Sequence, residues 1–276
     1  AAGKRVVYIS IENAYPLSED PSLIDAYYTL GVRMLGLVHT SNNDFADSST
    51  DPKGPEWHGI SPKGKALVAR ANQLGILIDQ SHASDDVFDQ LLEVSKAPIV
   101  LSHTASFDLN GHPRNLDDAR IRKLAAKGGV IQVNSLSGYL IPTSKDPEYM
   151  KEMRALYAEA GSRRELTPEQ RHALMDKRKA IDAKYGVKTA TLDDYMRHIL
   201  HIIEVAGPEH VGFGADWDGG GGVTGLEDVS LLPKITERLL KAGYSEKQVA
   251  GMWGGNVLRL LGEVQALADP KTVETL

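Results

Sequence analysis

Cysteine is absent from the 276 residues, which excludes disulfides and thiolate metal sites but leaves the compartment undecided. No dense run of Lys and Arg appears, and the formal net charge is −6; both argue against a nucleic-acid partner. No apolar stretch approaches membrane-spanning length. Internal repeats of fixed period are missing, and no Pro/Ser-rich linker divides the chain. What is present is a globular balance, 42% hydrophobic and 25% charged, which can bury a substantial core. The length fits one large α/β domain as well as two small ones.

One unit recurs along the chain. RVVYISIE (5–12), VRMLGLVH (32–39), GILIDQSH (75–82), PIVLSHT (98–104), GVIQVN (129–134) and HVGFGAD (210–216) are short and rich in Val, Ile and Leu. Helix-like segments lie between most of them: PSLIDAYYTLG, SPKGKALVARANQLG, SDDVFDQLLEVSK and LDDARIRKLAAKGG. Several open on Ser, Asp or Pro and close on Gly or a basic residue, as helix starts and stops should. Continuous apolar strands alternating with helices predict a parallel sheet covered on both faces. Residues 143–190 break this rhythm with a heavily charged stretch of helical spacing, in which TPEQ is a capping-box start. A solvated helical insertion is the plain reading, with a partner-binding arm as the alternative.

The six strands finish at or beside Glu12, His39, His82, His103, Asn134 and Asp216. In a parallel α/β barrel the carboxyl ends of the strands gather on one face, where the loops build the site. One Glu, three His and one Asp would therefore converge, the ligand types expected for zinc or a similar divalent ion when thiolate is missing. Each residue also has a plainer reading. A single strand-end His is more often a hydrogen-bonded polar residue than a ligand. Glu12 alone could be a charge at a helix start before Pro16, and Asp216 alone a turn residue. Asp218, beside four glycines, is the better turn former of the two.

At these residues the chain resembles the membrane (renal) dipeptidase family, zinc peptidases of the amidohydrolase-like barrel superfamily. The similarity runs from about residue 5 to residue 262, apart from the charged stretch. ISIENAYPL is similar to the segment that carries the glutamate bridging two zinc ions, which falls on Glu12. GLVHTSNN resembles the segment whose histidine faces substrate and the metal-bound water, here His39. LIDQSHAS and IVLSHTAS match the segments giving two histidine ligands, His82 and His103. HPRNLDD carries the counterpart of the substrate-binding arginine, Arg114, and GFGADWDG resembles the strand-eight motif whose first aspartate is Asp216. Asn134, on the same edge, joins Arg114 and His39 among the substrate-binding candidates. On its residues alone, Arg114 reads instead as a surface arginine capping the helix after Asn115.

The resemblance implies a (β/α)8 TIM-type barrel, of which the chain supplies strands three to eight plus the charged helical insertion, as a single metallo-hydrolase domain. It also implies zinc-dependent hydrolysis of dipeptides by a metal-bound hydroxide. Two zinc ions would be bridged by Glu12, with Asp216 and His39 catalytic and Arg114 holding the free C-terminal carboxylate. One departure stands out: none of the histidines is followed two places later by Asp, whereas the family's first strand is His-x-Asp. The expectation is that the missing strands belong to a preceding segment, present in the same polypeptide or as another chain. Lactam or cyclic-amide opening on the same fold, and a catalytically silent relative, are the alternative functions. A homodimer and an exported (periplasmic or extracellular) bacterial enzyme are further implications of the family.

Overall fold

The computed structural model describes residues 7–161 and 166–274. Six short strands carry the architecture: β1 (Ile9–Ile11), β2 (Val32–Gly36), β3 (Leu77–Asp79), β4 (Val100–Thr104), β5 (Val130–Val133) and β6 (Val211–Phe213). They pair in chain order, every pair parallel. Each lies inside a segment expected from the sequence; all but β4 stop short of its end, where the polar residues turn away into loops, whereas β4 keeps Ser102, His103 and Thr104 in the strand. Residues 5 and 6 of the first expected strand lie outside the described residues.

The helices that alternate with the strands are α1 (Leu23–Thr29), α2 (Pro62–Leu74), α3 (Asp85–Val94) and α4 (Asp118–Ala126). A short α5 (Ser137–Leu140), α6 (Pro147–Ala160), α7 (Pro168–Lys184) and α8 (Leu192–Ala206) come between β5 and β6. After β6 follow α9 (Pro233–Lys241), α10 (Glu246–Ala250), α11 (Asn256–Ala266) and α12 (Pro270–Glu274). Local chemistry sets their starts. Ser61, Ser84 and Asp117 accept backbone N–H groups at the first turns of α2, α3 and α4. Thr167 and Gln170 form the expected capping box of α7. The charged stretch thus folds as two helices, α6 and α7, packed on each other.

Alternation along the strands splits the sheet into two faces. Leu35, Ile78, Leu101 and Ile131 belong to the large core shared with α2, α3, α4 and α8. Leu77, Val100 and Val130 point the other way, against Leu260, Leu261 and Val264 of α11. Burying side chains of this size contributes about 1.5–3 kcal/mol each, so α11 closes the amino-terminal end of that second face. Towards the carboxyl ends the same face turns polar. Two residues on from Leu77 and Val100 stand Asp79 and Ser102, and with Ser10, Glu12 and Asp216 they line a cavity of about 240 Å³.

Candidate metal centre

The strand ends bring Glu12, His82 and His103 into contact. Glu12 Oε1 lies 3.2 Å from His82 Nε2 and 3.3 Å from His103 Nε2, and the two imidazole nitrogens are 2.8 Å apart. In a tetrahedral zinc site with bonds of about 2.0–2.1 Å, ligand atoms lie about 3.3 Å from one another. The donor set fits such an ion, and the two Glu12 separations match its spacing, while the imidazole nitrogens stand closer together. His39 joins from the loop after β2, its ring tilted against that of His82 at 41° with centroids 4.1 Å apart.

Burial shapes the charges. It is the main cause holding the His82 imidazole down to about 4, and the same effect lowers His103. Glu12 is half-exposed, and chiefly its hydrogen bond with His82 holds the carboxyl down to about 2. Near neutral pH the cluster is one carboxylate and two neutral imidazoles, the protonation state in which all three can ligate a cation.

The backbone is bent to make this possible. Among the described residues four non-glycine positions have positive φ, and three flank the site: Asn13 at 78°, His82 at 73° and Asp216 at 57°. Such conformations cost of order 1–3 kcal/mol each and persist where surrounding structure enforces them. Asn13 is enforced by Asn43, whose Nδ2 donates to its Oδ1 at 2.9 Å. Asp216 is enforced by a tight turn in which its carbonyl accepts from Gly219 and Gly221 at 3.1 and 2.7 Å. Asp216 is therefore itself a turn former, while Asp218 beside it is exposed. The carboxylate of Asp216 still faces the cavity with Glu12 and His103, and Asn134 Nδ2 donates to its Oδ2 at 3.4 Å.

Arg114 is not the surface residue that its local sequence allows. It is 4% exposed, its Nη2 donates to the carbonyl of His103 at 3.2 Å, and the guanidinium stands 5.3 Å from the ring centre of Tyr139. Its Nε has no partner among the described residues. Sequence reasoning missed three residues around the cluster: Tyr139 beside Arg114, and Asp79 and Ser102 behind His103. The aspartate of LIDQSH and the serine before each histidine were signals in plain sight, but only the fold shows which atoms they meet.

The profile of the membrane dipeptidases (peptidase family M19) matches residues 1–274. The chain belongs to this family. An uncharacterized dipeptidase of Schizosaccharomyces pombe is 31% identical over 270 residues, covering 96% of this chain and 55% of its own length. Dipeptidase tcpJ of Claviceps purpurea is 30% identical over 268 residues, 97% of this chain and 53% of its own. The chain thus spans about half the length of the curated relatives it matches. Among solved structures, the probable dipeptidase PvdM of Pseudomonas aeruginosa is 37% identical, with a TM-score of 0.77 over 94% of this chain and 69% of its own. A metallo peptidase of Rhodobacter sphaeroides, 24% identical with a TM-score of 0.71 over 93% of this chain and 63% of its own, shares the fold. The six parallel strands correspond to the barrel architecture of these membrane dipeptidase relatives.

Proposed function

We propose that the protein is a zinc-dependent dipeptidase that recognises the free carboxylate of its substrate. The convergence of Glu12, His82 and His103, whose ligand atoms all lie within 4.8 Å of one another, carries the reading. Membership of a dipeptidase family supports a short peptide as the substrate. A divalent ion held by these three residues supplies Lewis acidity towards the scissile carbonyl and lowers the pKa of water enough for attack near neutral pH. Glu12, His82 and His103 are the residues that would hold the ion, Glu12 as the carboxylate in contact with both imidazoles.

The remaining steps belong to the chain's own side chains. Asp216, oriented by Asn134, takes the proton of the attacking water and returns it to the leaving amine. His39, packed on His82, offers its imidazole to the oxyanion that develops on the carbonyl. Arg114 supplies a planar fork for the terminal carboxylate. Asp79 and Asp216 act on this buried cation through space, but its Nη2 donates to a carbonyl and its Nε has no partner among the described residues, which favours an anionic ligand beside it.

Metal analysis by mass spectrometry tests this directly. A His82→Ala, His103→Ala double variant is expected to lose its zinc and its hydrolysis of free dipeptides together. Unchanged metal content would remove the site as drawn. A panel pairing dipeptides with cyclic amides checks the substrate class, and faster turnover of the cyclic amides would overturn it.

A further inference from the structure

His103 can ligate through Nε2 only if its ring proton sits on Nδ1, because a neutral imidazole carries one N–H and one lone pair. The structure surrounds Nδ1 with an ordered chain of hydrogen bonds. Asp79, the last residue of β3, is buried. Its Oδ1 accepts the backbone N–H groups of Ser81 and Ser102, both at 3.0 Å. Its Oδ2 accepts the hydroxyl of Ser102 at 2.5 Å. The Ser102 proton is thereby committed to Asp79, and the lone pairs of Oγ are left for His103 Nδ1, 2.8 Å away. Ser81 adds a second hold, its Oγ accepting the backbone N–H of His103 at 3.1 Å.

His82 has no such support. Its Nδ1 is buried without a partner among the described residues. The two histidines of the cluster therefore differ in preparation, although they look alike in sequence.

We infer that Asp79 and Ser102 are positioning residues that fix the proton of His103 on Nδ1 and so present Nε2 as a ligand atom. The inference rests on the metal-centre reading above for its purpose, but not for its test. Supports of this kind orient the ring and set its tautomer, and their loss commonly weakens metal binding about 10–100-fold. The order of donors also predicts what an isosteric change does. In Asp79→Asn the two backbone N–H groups keep the amide oxygen, so the amide NH2 faces Ser102. Of the two acceptors left to the hydroxyl, His103 Nδ1 at 2.8 Å is nearer than Ser81 Oγ at 3.3 Å, so it reverses and donates to Nδ1, which drives the His103 proton to Nε2 and blocks the ligand atom.

The experiment is long-range 15N–1H correlation NMR of the histidine rings in metal-free protein, together with zinc titration against a competing chelator. Wild-type protein is expected to show His103 protonated at Nδ1, and Asp79→Asn to show it at Nε2. The zinc Kd should rise about 10–100-fold in Asp79→Asn and in Ser102→Ala, while Ser102→Thr, which keeps the hydroxyl, stays near wild type. An Nε2-protonated His103 in the wild type overturns the inference, as does a folded Asp79→Asn with tautomer and Kd unchanged. If Asp79→Asn does not fold, the contrast between Ser102→Ala and Ser102→Thr decides in its place. Wild-type protein that takes up no zinc would overturn the proposed function instead, and the NMR result would still decide the relay.

Discussion

The recognition role proposed for Arg114 is coupled to the frame of the site. Burying a guanidinium is costly; burial works against the charge of Arg114, and Tyr139, Asp79 and Asp216 offset it only in part. Its one hydrogen bond into the cluster, to the carbonyl of His103, ties it to a residue of the candidate metal centre. Replacing it should therefore damage hydrolysis of every substrate somewhat, and of free carboxylates far more. Arg114→Ala is expected to raise the KM for a free dipeptide, relative to its C-terminal amide, by the loss of a charge-assisted bidentate contact, roughly 1.5–3 kcal/mol. Steady-state kinetics on the matched pair cancels any shared loss from a shifted His103, and an equal penalty on both substrates would remove the role. At this scale the sequence was readable where residue type and strand-end position were enough. Glu12, His82 and His103 meet because parallel strands share one carboxyl edge. Asp79, Ser102 and Tyr139 were not readable, since their roles depend on side-chain directions that spacing does not encode.

The turn after β6 shows how an element serves a single carboxylate. Residues 219–222 are all glycine, and two of them are crowded for different reasons. A Cβ on Gly219 would lie 2.1 Å from Asp216 Oδ1, whereas one on Gly221 would lie 1.8 Å from the carbonyl oxygen of Ala215. The first clash is with the far end of a side chain that can swing aside, the second with backbone that cannot. Gly219→Ala is thus expected to displace the Asp216 carboxylate, lowering kcat while leaving Tm close to wild type. Gly221→Ala should lower Tm itself. Thermal melts and kcat on the two variants separate these outcomes, and a fully active Gly219→Ala would count against Asp216 as the proton carrier. Element boundaries followed the apolar runs well but overran at the strand ends. His82 lies three residues beyond the end of β3, on backbone with φ of 73°, because a functional loop rather than a ladder claims it. The Thr167 cap was legible for the opposite reason, since its two hydrogen bonds are local in sequence.

On the scale of the whole molecule, buried neutral histidine links stability to pH. His198 of α8 is fully buried and joins two other parts of the fold. Its Nδ1 accepts the backbone N–H of Ser106 at 3.2 Å, beyond β4. Its Nε2 stands 2.9 Å from the carbonyl of Leu140, at the end of α5. Only the neutral ring with its proton on Nε2 satisfies both partners, and burial is the first cause holding the group down to about 4. Arg197 and His201 lower it further, while Asp194 and the Leu140 carbonyl oppose them. The unfolded chain binds the proton near the ordinary 6.5, so it carries more protons than the native state across the window from 6.5 to about 4. Stability contributed by the neutral ring is therefore complete above that window and is lost as pH falls through it, by roughly 3 kcal/mol from this residue. His112, held down to about 4 by burial first and by Arg114 second, adds in the same direction. Urea unfolding at several pH values between 7 and 4 should show ΔG falling steadily with acid. In His198→Gln, stability at pH 7 should drop through the lost hydrogen bonds, but the slope against pH should flatten by close to one proton. A slope unchanged by that substitution would mean that the acid sensitivity of the fold resides elsewhere, and that the buried ring is protonated at no cost to the native state.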